Sequence, residues 1–159
     1  MEPDSRSLTL PDPDATARLG LALGRSAQAG DIILLSGDLG AGKTTLTQAI
    51  ARGLGIEERV TSPTFSLLHE YDEGRVPLYH FDLYRLTEED IAAQAFPDYW
   101  EQGDGLAVLE WAERLGSLTP PQRLEIHLAH AGDGRTATLV ARGDRPHHWL
   151  QQVASDAEA

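Results

Sequence analysis

Asp31-Ile32-Ile33-Leu34-Leu35-Ser36-Gly37-Asp38-Leu39-Gly40-Ala41-Gly42-Lys43-Thr44-Thr45 is the stretch that decides the fold of this chain. Residues 32–35 are a short unbroken apolar run between Asp31 and Gly37, the pattern of a strand buried on both faces in a parallel sheet. Residues 37–44 then match Gly-x-x-x-x-Gly-Lys-Thr, and a helical pattern runs over residues 43–54 until Gly55 ends it. Strand, glycine-rich loop and helix in that order are the context in which this motif binds phosphate. Glycines let consecutive backbone N–H groups turn toward an anion at the positive end of a helix. Lys43 reaches the β- and γ-phosphates, and the Thr44 hydroxyl is placed to ligate Mg²⁺. The alternative, a strand–helix turn with no ligand, leaves unexplained why the only lysine of the chain falls at the one position the motif demands. The nucleotide-binding set read from this stretch is Gly37, Asp38, Leu39, Gly40, Ala41, Gly42, Lys43, Thr44 and Thr45.

Working outward, Asp12-Pro13 reads as an N-cap followed by proline at the first helical position, opening an amphipathic helix that runs to about residue 29. Residues 65–71 and 76–81 flank Asp72-Glu73-Gly74 as a hairpin. Thr87 and Asp90 resemble a capping box for a helix that stops before Pro97. Residues 106–109 are a further apolar strand, followed by a short helix over residues 112–115. Residues 123–129 and 136–141 are joined by Ala131-Gly132-Asp133-Gly134 as a second hairpin. Residues 143–159 are polar apart from Trp149, Leu150 and Val153, and read as a weak helix or frayed tail. The expectation is an α/β domain over residues 1–142, a P-loop NTPase-like mixed sheet flanked by helices with a C-terminal β-hairpin, followed by that tail.

Composition excludes several function classes. The 159 residues contain no cysteine, which removes disulfides, thiol catalysis and cysteine-ligated metal centres. Thirteen basic residues against twenty-five acidic ones give a net charge of −12. Such a surface repels nucleic acid and anionic lipid, so any action on RNA is expected to run through another protein. No apolar run is long enough to span a bilayer, and the acidic start Met1-Glu2-Pro3-Asp4 is unlike a secretory leader. A soluble cytoplasmic protein is the expectation. The Asn-Lys-x-Asp element of guanine recognition is absent, because the chain has no asparagine and no second lysine. ATP is therefore favoured over GTP.

Two carboxylates end apolar strands, Asp82 after Leu78-Tyr79-His80-Phe81 and Glu110 after Leu106-Ala107-Val108-Leu109. A P-loop ATPase needs an acidic residue there for the Mg²⁺ shell. One of the two can serve the metal and the other the attacking water, and spacing does not assign which. Ser62 and Thr64 lie where a first switch segment falls, with Pro63 limiting its conformations. His127 and His130, three apart on a strand, point to opposite faces and do not share a metal.

Together these motifs resemble the TsaE (YjeE) family. Residues 37–45 are followed by Ser62-Pro63-Thr64-Phe65, by His80-x-Asp82-x-Tyr84-Arg85 and by Glu110-Trp111, in the family's order and spacing, over about residues 8–142. The resemblance implies a bacterial ATPase that helps form N6-threonylcarbamoyladenosine at adenosine 37 of tRNA. Its implied partners are TsaB and TsaD, a heterodimer in which TsaD transfers the threonylcarbamoyl group. The ATPase drives multiple turnover, is weak alone, and meets tRNA only indirectly. Carried over motif by motif, Thr44 and Glu110 coordinate Mg²⁺, residues 40–45 hold the phosphates, and Asp82 supports hydrolysis alongside Lys43. Pro13 and Arg135 lie toward the nucleotide base, and Ser62, Thr64, Tyr84, Arg85 and Trp111 are linked to switching or partners. The competing classes are a small-molecule P-loop kinase, which lacks a visible arginine-rich lid here, and a nucleotide-dependent binding protein.

Overall fold

The computed structural model of the chain describes residues 4–38, 40–60 and 67–158. Seven strands among them form one mixed sheet in the order β1-β7-β6-β2-β5-β4-β3. The strands are β1 (Asp4–Leu10), β2 (Ile32–Gly37), β3 (Leu68–Tyr71), β4 (Leu78–Asp82), β5 (Leu106–Glu110), β6 (Arg123–Ala131) and β7 (Gly134–Arg142). The centre is parallel: β2 pairs with β5 and β6, and β5 pairs with β4. Antiparallel β3 extends one side, while β7 and then β1 extend the other.

Alternation along the strands makes two cores, since successive side chains face opposite sides of the sheet. Ile33, Leu35, Val108, Ile126 and Leu139 join one buried cluster with helices α1 (Pro13–Ser26) and α2 (Lys43–Leu54). Ile32, Leu34, Phe81 and Leu109 join the other with α3 (Glu88–Ala93), α4 (Pro97–Glu101) and the 3₁₀ segment Ala112–Leu118. This two-sided burial is why the central strands read as unbroken apolar runs. The predicted cap and capping box are present: Asp12 Oδ1 accepts the Ala15 N–H at 2.8 Å, and Thr87 and Asp90 bond reciprocally. Helices α1 and α2 cross where neither carries bulk. A Cβ on Gly24 would lie 2.2 Å from the Ile50 carbonyl oxygen, so only glycine admits this approach.

Of the two readings of residues 143–159, weak helix or frayed tail, the described residues follow the helix, and it is docked on the sheet domain. Helix α5 (Asp144–Glu158) packs on α1, β6 and β7, with Trp149, Leu150 and Val153 fully buried in the first core. These residues share one helical face with Ala154, while His148, Gln151, Gln152, Ser155 and Asp156 are exposed. Trp149 Nε1 donates to Ser26 Oγ at 2.9 Å. Arg145 grips the buried Asp31 carboxylate through Nε at 3.0 Å and Nη2 at 2.7 Å. Residues 144–158 thus belong to the same body as the sheet. Two further elements lie beyond the sequence reading: edge strand β1, and α4, which starts at Pro97 just after Ala95 turns the chain at φ 58°. No helix among the described residues is long and apolar enough to cross a membrane.

Candidate functional site

The loop, Lys43, Asp82 and Glu110 gather at the C-terminal ends of the parallel strands. Strand β2 delivers the loop at Gly37, where a Cβ would lie 2.7 Å from the Leu128 carbonyl oxygen, so neighbouring β6 leaves no room for a side chain. The loop closes at Gly42, the N-cap of α2, with φ 102° in the left-handed region that favours glycine. Among the described residues no side chain caps this helix, and its first turn holds no acidic residue. Its first N–H groups therefore remain open at the positive end of the helix, which suits a phosphate.

Strand register brings the two carboxylates together. Asp82 and Glu110 are directly paired across β4 and β5, and Glu110 is also paired with Leu35 of β2, two residues before the loop begins. Glu110 Oε1 lies 3.7 Å from Lys43 Nζ, and Glu110 Oε2 accepts a 2.7 Å hydrogen bond from His80 Nε2. Burial on its own would push the Glu110 carboxyl up; the His80 hydrogen bond, the attraction of that imidazole and the Lys43 ammonium outweigh it and hold Glu110 below the usual carboxylate range. Asp82 is half-buried, and its Oδ1 accepts the Tyr84 N–H at 3.1 Å.

A cleft of about 670 Å³ is lined by the loop together with Lys43, Thr44, Asp82, Glu110 and Trp111. A side groove of about 150 Å³ shares Gly40, Gly42 and Thr45 with it and continues to Asp12, Pro13, Thr16 and Arg135. Arg135 Nη2 donates to the Gly40 carbonyl at 3.0 Å, tying the β6–β7 hairpin to the loop. Trp111 adopts φ 63° and ψ 44°, a region few non-glycine residues enter. Its ring lies 4.6 Å from the half-exposed Tyr84 ring, and Lys43 Nζ is 5.9 Å from its centroid. Arg85 is exposed next in the chain. Leu39, Ser62 and Thr64 lie outside the described residues.

Among the described residues no group of three or more His, Asp or Glu could hold a metal by protein ligands alone. Mg²⁺ at phosphate sites needs no such cage, taking one or two carboxylates and completing its shell with phosphate and water. The exposed Thr44 hydroxyl and the Glu110 carboxylate fit that requirement. A second cavity, about 540 Å³, lies at the opposite pole between Trp100 and the Asp31–Arg145 pair. Two of its charged groups, Asp31 and Arg145, are committed to each other, whereas the loop cleft holds the lysine, the helix start and both carboxylates. The sequence reading gave no role to one residue of this site, His80, although it opens the stretch His80-x-Asp82-x-Tyr84-Arg85 and lies two positions before Asp82, on the same face of β4.

Residues 10–137 match the family model described as threonylcarbamoyl adenosine biosynthesis protein TsaE. The chain is similar to a protein of Nostoc sp. named tRNA threonylcarbamoyladenosine biosynthesis protein TsaE, at 44% identity over 79% of this chain and 78% of that one. It is also similar to the protein of the same name from Bacillus subtilis, at 42% identity over 84% of each chain. The crystal structure of Bacillus subtilis YdiB superposes with a TM-score of 0.84 at 33% identity, covering 98% of this chain and 97% of that one. By the family model, by these relatives and by fold, the chain belongs to the TsaE family.

Proposed function

We propose that this chain is a Mg²⁺-dependent ATPase of tRNA threonylcarbamoyladenosine biosynthesis, working with TsaB and TsaD in the cytoplasm and meeting tRNA only through them. One observation carries the reading: Lys43 and Glu110 face each other at 3.7 Å beside a helix start with neither a side-chain cap nor an acidic residue. The relatives' shared name, tRNA threonylcarbamoyladenosine biosynthesis protein TsaE, supports the pathway. The net charge of −12 supports a role in which partners hold the RNA.

In this mechanism the α2 N–H groups and Lys43 bind the β- and γ-phosphates, exchanging the Lys43–Glu110 attraction for contacts to phosphate. Thr44 and Glu110 hold Mg²⁺, which supplies neutralisation of charge on the phosphate oxygens. Asp82, kept in place by the Tyr84 N–H, orients the attacking water and accepts its proton as the new oxygen–phosphorus bond forms and the bond to the leaving ADP oxygen breaks. The groove toward Pro13 and Arg135 takes the base. Positioning and charge neutralisation do the work, and a partner completes the site, so turnover by the chain alone is slow. Calorimetric titration of ATP into Lys43→Ala tests the assignment: binding is lost if the loop holds the phosphates, and an unchanged affinity refutes it.

A further inference from the structure

His80 is 2% exposed, on the β4 face it shares with Leu78 and Asp82, and pairs across the ladders with Val108 and His69. Leu78 and Val108 are fully buried. A polar ring in such surroundings is unfavourable unless it is hydrogen-bonded. Its Nδ1 is buried with no hydrogen-bond partner among the described residues, so packing gains nothing from an imidazole over an apolar side chain of similar size. What the imidazole does supply is Nε2, 2.7 Å from Glu110 Oε2. The two Glu110 oxygens are thereby divided: Oε2 is fixed toward the sheet, and Oε1 is turned to Lys43 and the cleft.

We propose that His80 is a positioning residue for Glu110, donating from Nε2 to Oε2 so that Oε1 is presented to the metal–nucleotide cleft in one orientation. The inference rests on the Mg²⁺–ATP reading above. His80 touches neither nucleotide nor water; it acts through Glu110. A glutamate without this restraint distributes over several rotamers, and the fraction aimed at the cleft falls. Partners that orient metal-binding side chains in this way are worth about ten- to hundredfold in metal affinity.

The test compares His80→Gln with His80→Asn. The longer amide can reach Oε2 from the Nε2 position, whereas the shorter one ends near the Nδ1 position and cannot. The probe is the non-hydrolysable ATP analogue AMP-PNP, titrated calorimetrically with Mg²⁺ and again with EDTA, and the readout is the ratio of the two affinities. His80→Asn is expected to lower that ratio at least about tenfold, with affinity in EDTA within about twofold of wild type. His80→Gln is expected to keep the ratio, and His80→Asn added to Glu110→Ala to change it no further. A wild-type ratio in His80→Asn, equal losses in both variants, or an additive loss on top of Glu110→Ala would overturn the proposal. So would failure of both variants to fold, since His80 would then serve the core and not the carboxylate. A wild-type protein that binds the analogue equally with and without Mg²⁺ would refute the metal reading itself and this inference with it.

Discussion

Replacing Trp149 by alanine tests whether α5 is part of the core. The indole is fully buried against α1, and its Nε1–H donates to Ser26 Oγ at 2.9 Å. Truncating a buried tryptophan costs about 3–5 kcal/mol through lost burial and the cavity left behind. In a chain of this length each kcal/mol lowers the melting temperature by about 2–4 °C, so Trp149→Ala should melt about 6–20 °C below wild type. Trp149→Phe isolates the polar part. It keeps most of the apolar burial, and Ser26 Oγ retains its 2.7 Å bond to the Ala22 carbonyl, so the hydrogen-bond share of the loss is about 1 kcal/mol. Deleting residues 144–159 should be worse than either, because Trp149, Leu150 and Val153 leave the core together and Asp31 loses its ion pair with Arg145. The assay is thermal unfolding followed by circular dichroism, with reversibility checked. A Trp149→Ala protein melting within about 2 °C of wild type would mean that α5 is not docked as described.

Three further outcomes are expected. Glu110→Ala loses the Mg²⁺-dependent part of its ATP affinity, whereas Asp82→Ala keeps binding and loses turnover at least about a hundredfold, as calorimetry and phosphate release would read; the reverse pattern would swap their roles. Tyr79 titrates at about 12 in place of 10.0, through burial and then its hydrogen bond to Asp104. Since the fold favours the protonated phenol, this contribution to stability is full below pH 10.0 and lost as pH rises through about 12. In an alkaline phenolate titration by ultraviolet absorbance, Tyr79→Phe should remove a late step, and loss of an ordinary early step would contradict the assignment. Gly24→Ala forces a Cβ to within 2.2 Å of the Ile50 carbonyl oxygen and should destabilise by about 1–3 kcal/mol or more in chemical denaturation; a neutral result would show the helices free to separate.

The phosphate loop was legible in the sequence because its chemistry is local: glycines, one lysine and one threonine at fixed spacing between a strand and a helix. Asp82 and Glu110 were legible as strand ends for the same reason, and parallel pairing then set them side by side. Contacts between distant parts of the chain were not. Helix α5 carries few apolar residues in a polar stretch, and its docking depends on Ser26 and Asp31, more than a hundred residues away. Strand β1 is polar because it lies at the sheet edge, with its ladder supplied entirely by β7. His80 stood in plain view two residues before Asp82, but its bond to Glu110 joins residues thirty apart and needs the β4–β5 register to exist. The Arg135–Gly40 bond likewise joins the last hairpin to the loop across ninety-five residues.

The most direct test of the proposed function is phosphate release from ATP with Mg²⁺, measured for the purified chain alone and after addition of TsaB and TsaD. Slow release alone and strong stimulation by the pair is the predicted result. No stimulation, with the pair shown competent by other means, would contradict a site completed by those partners.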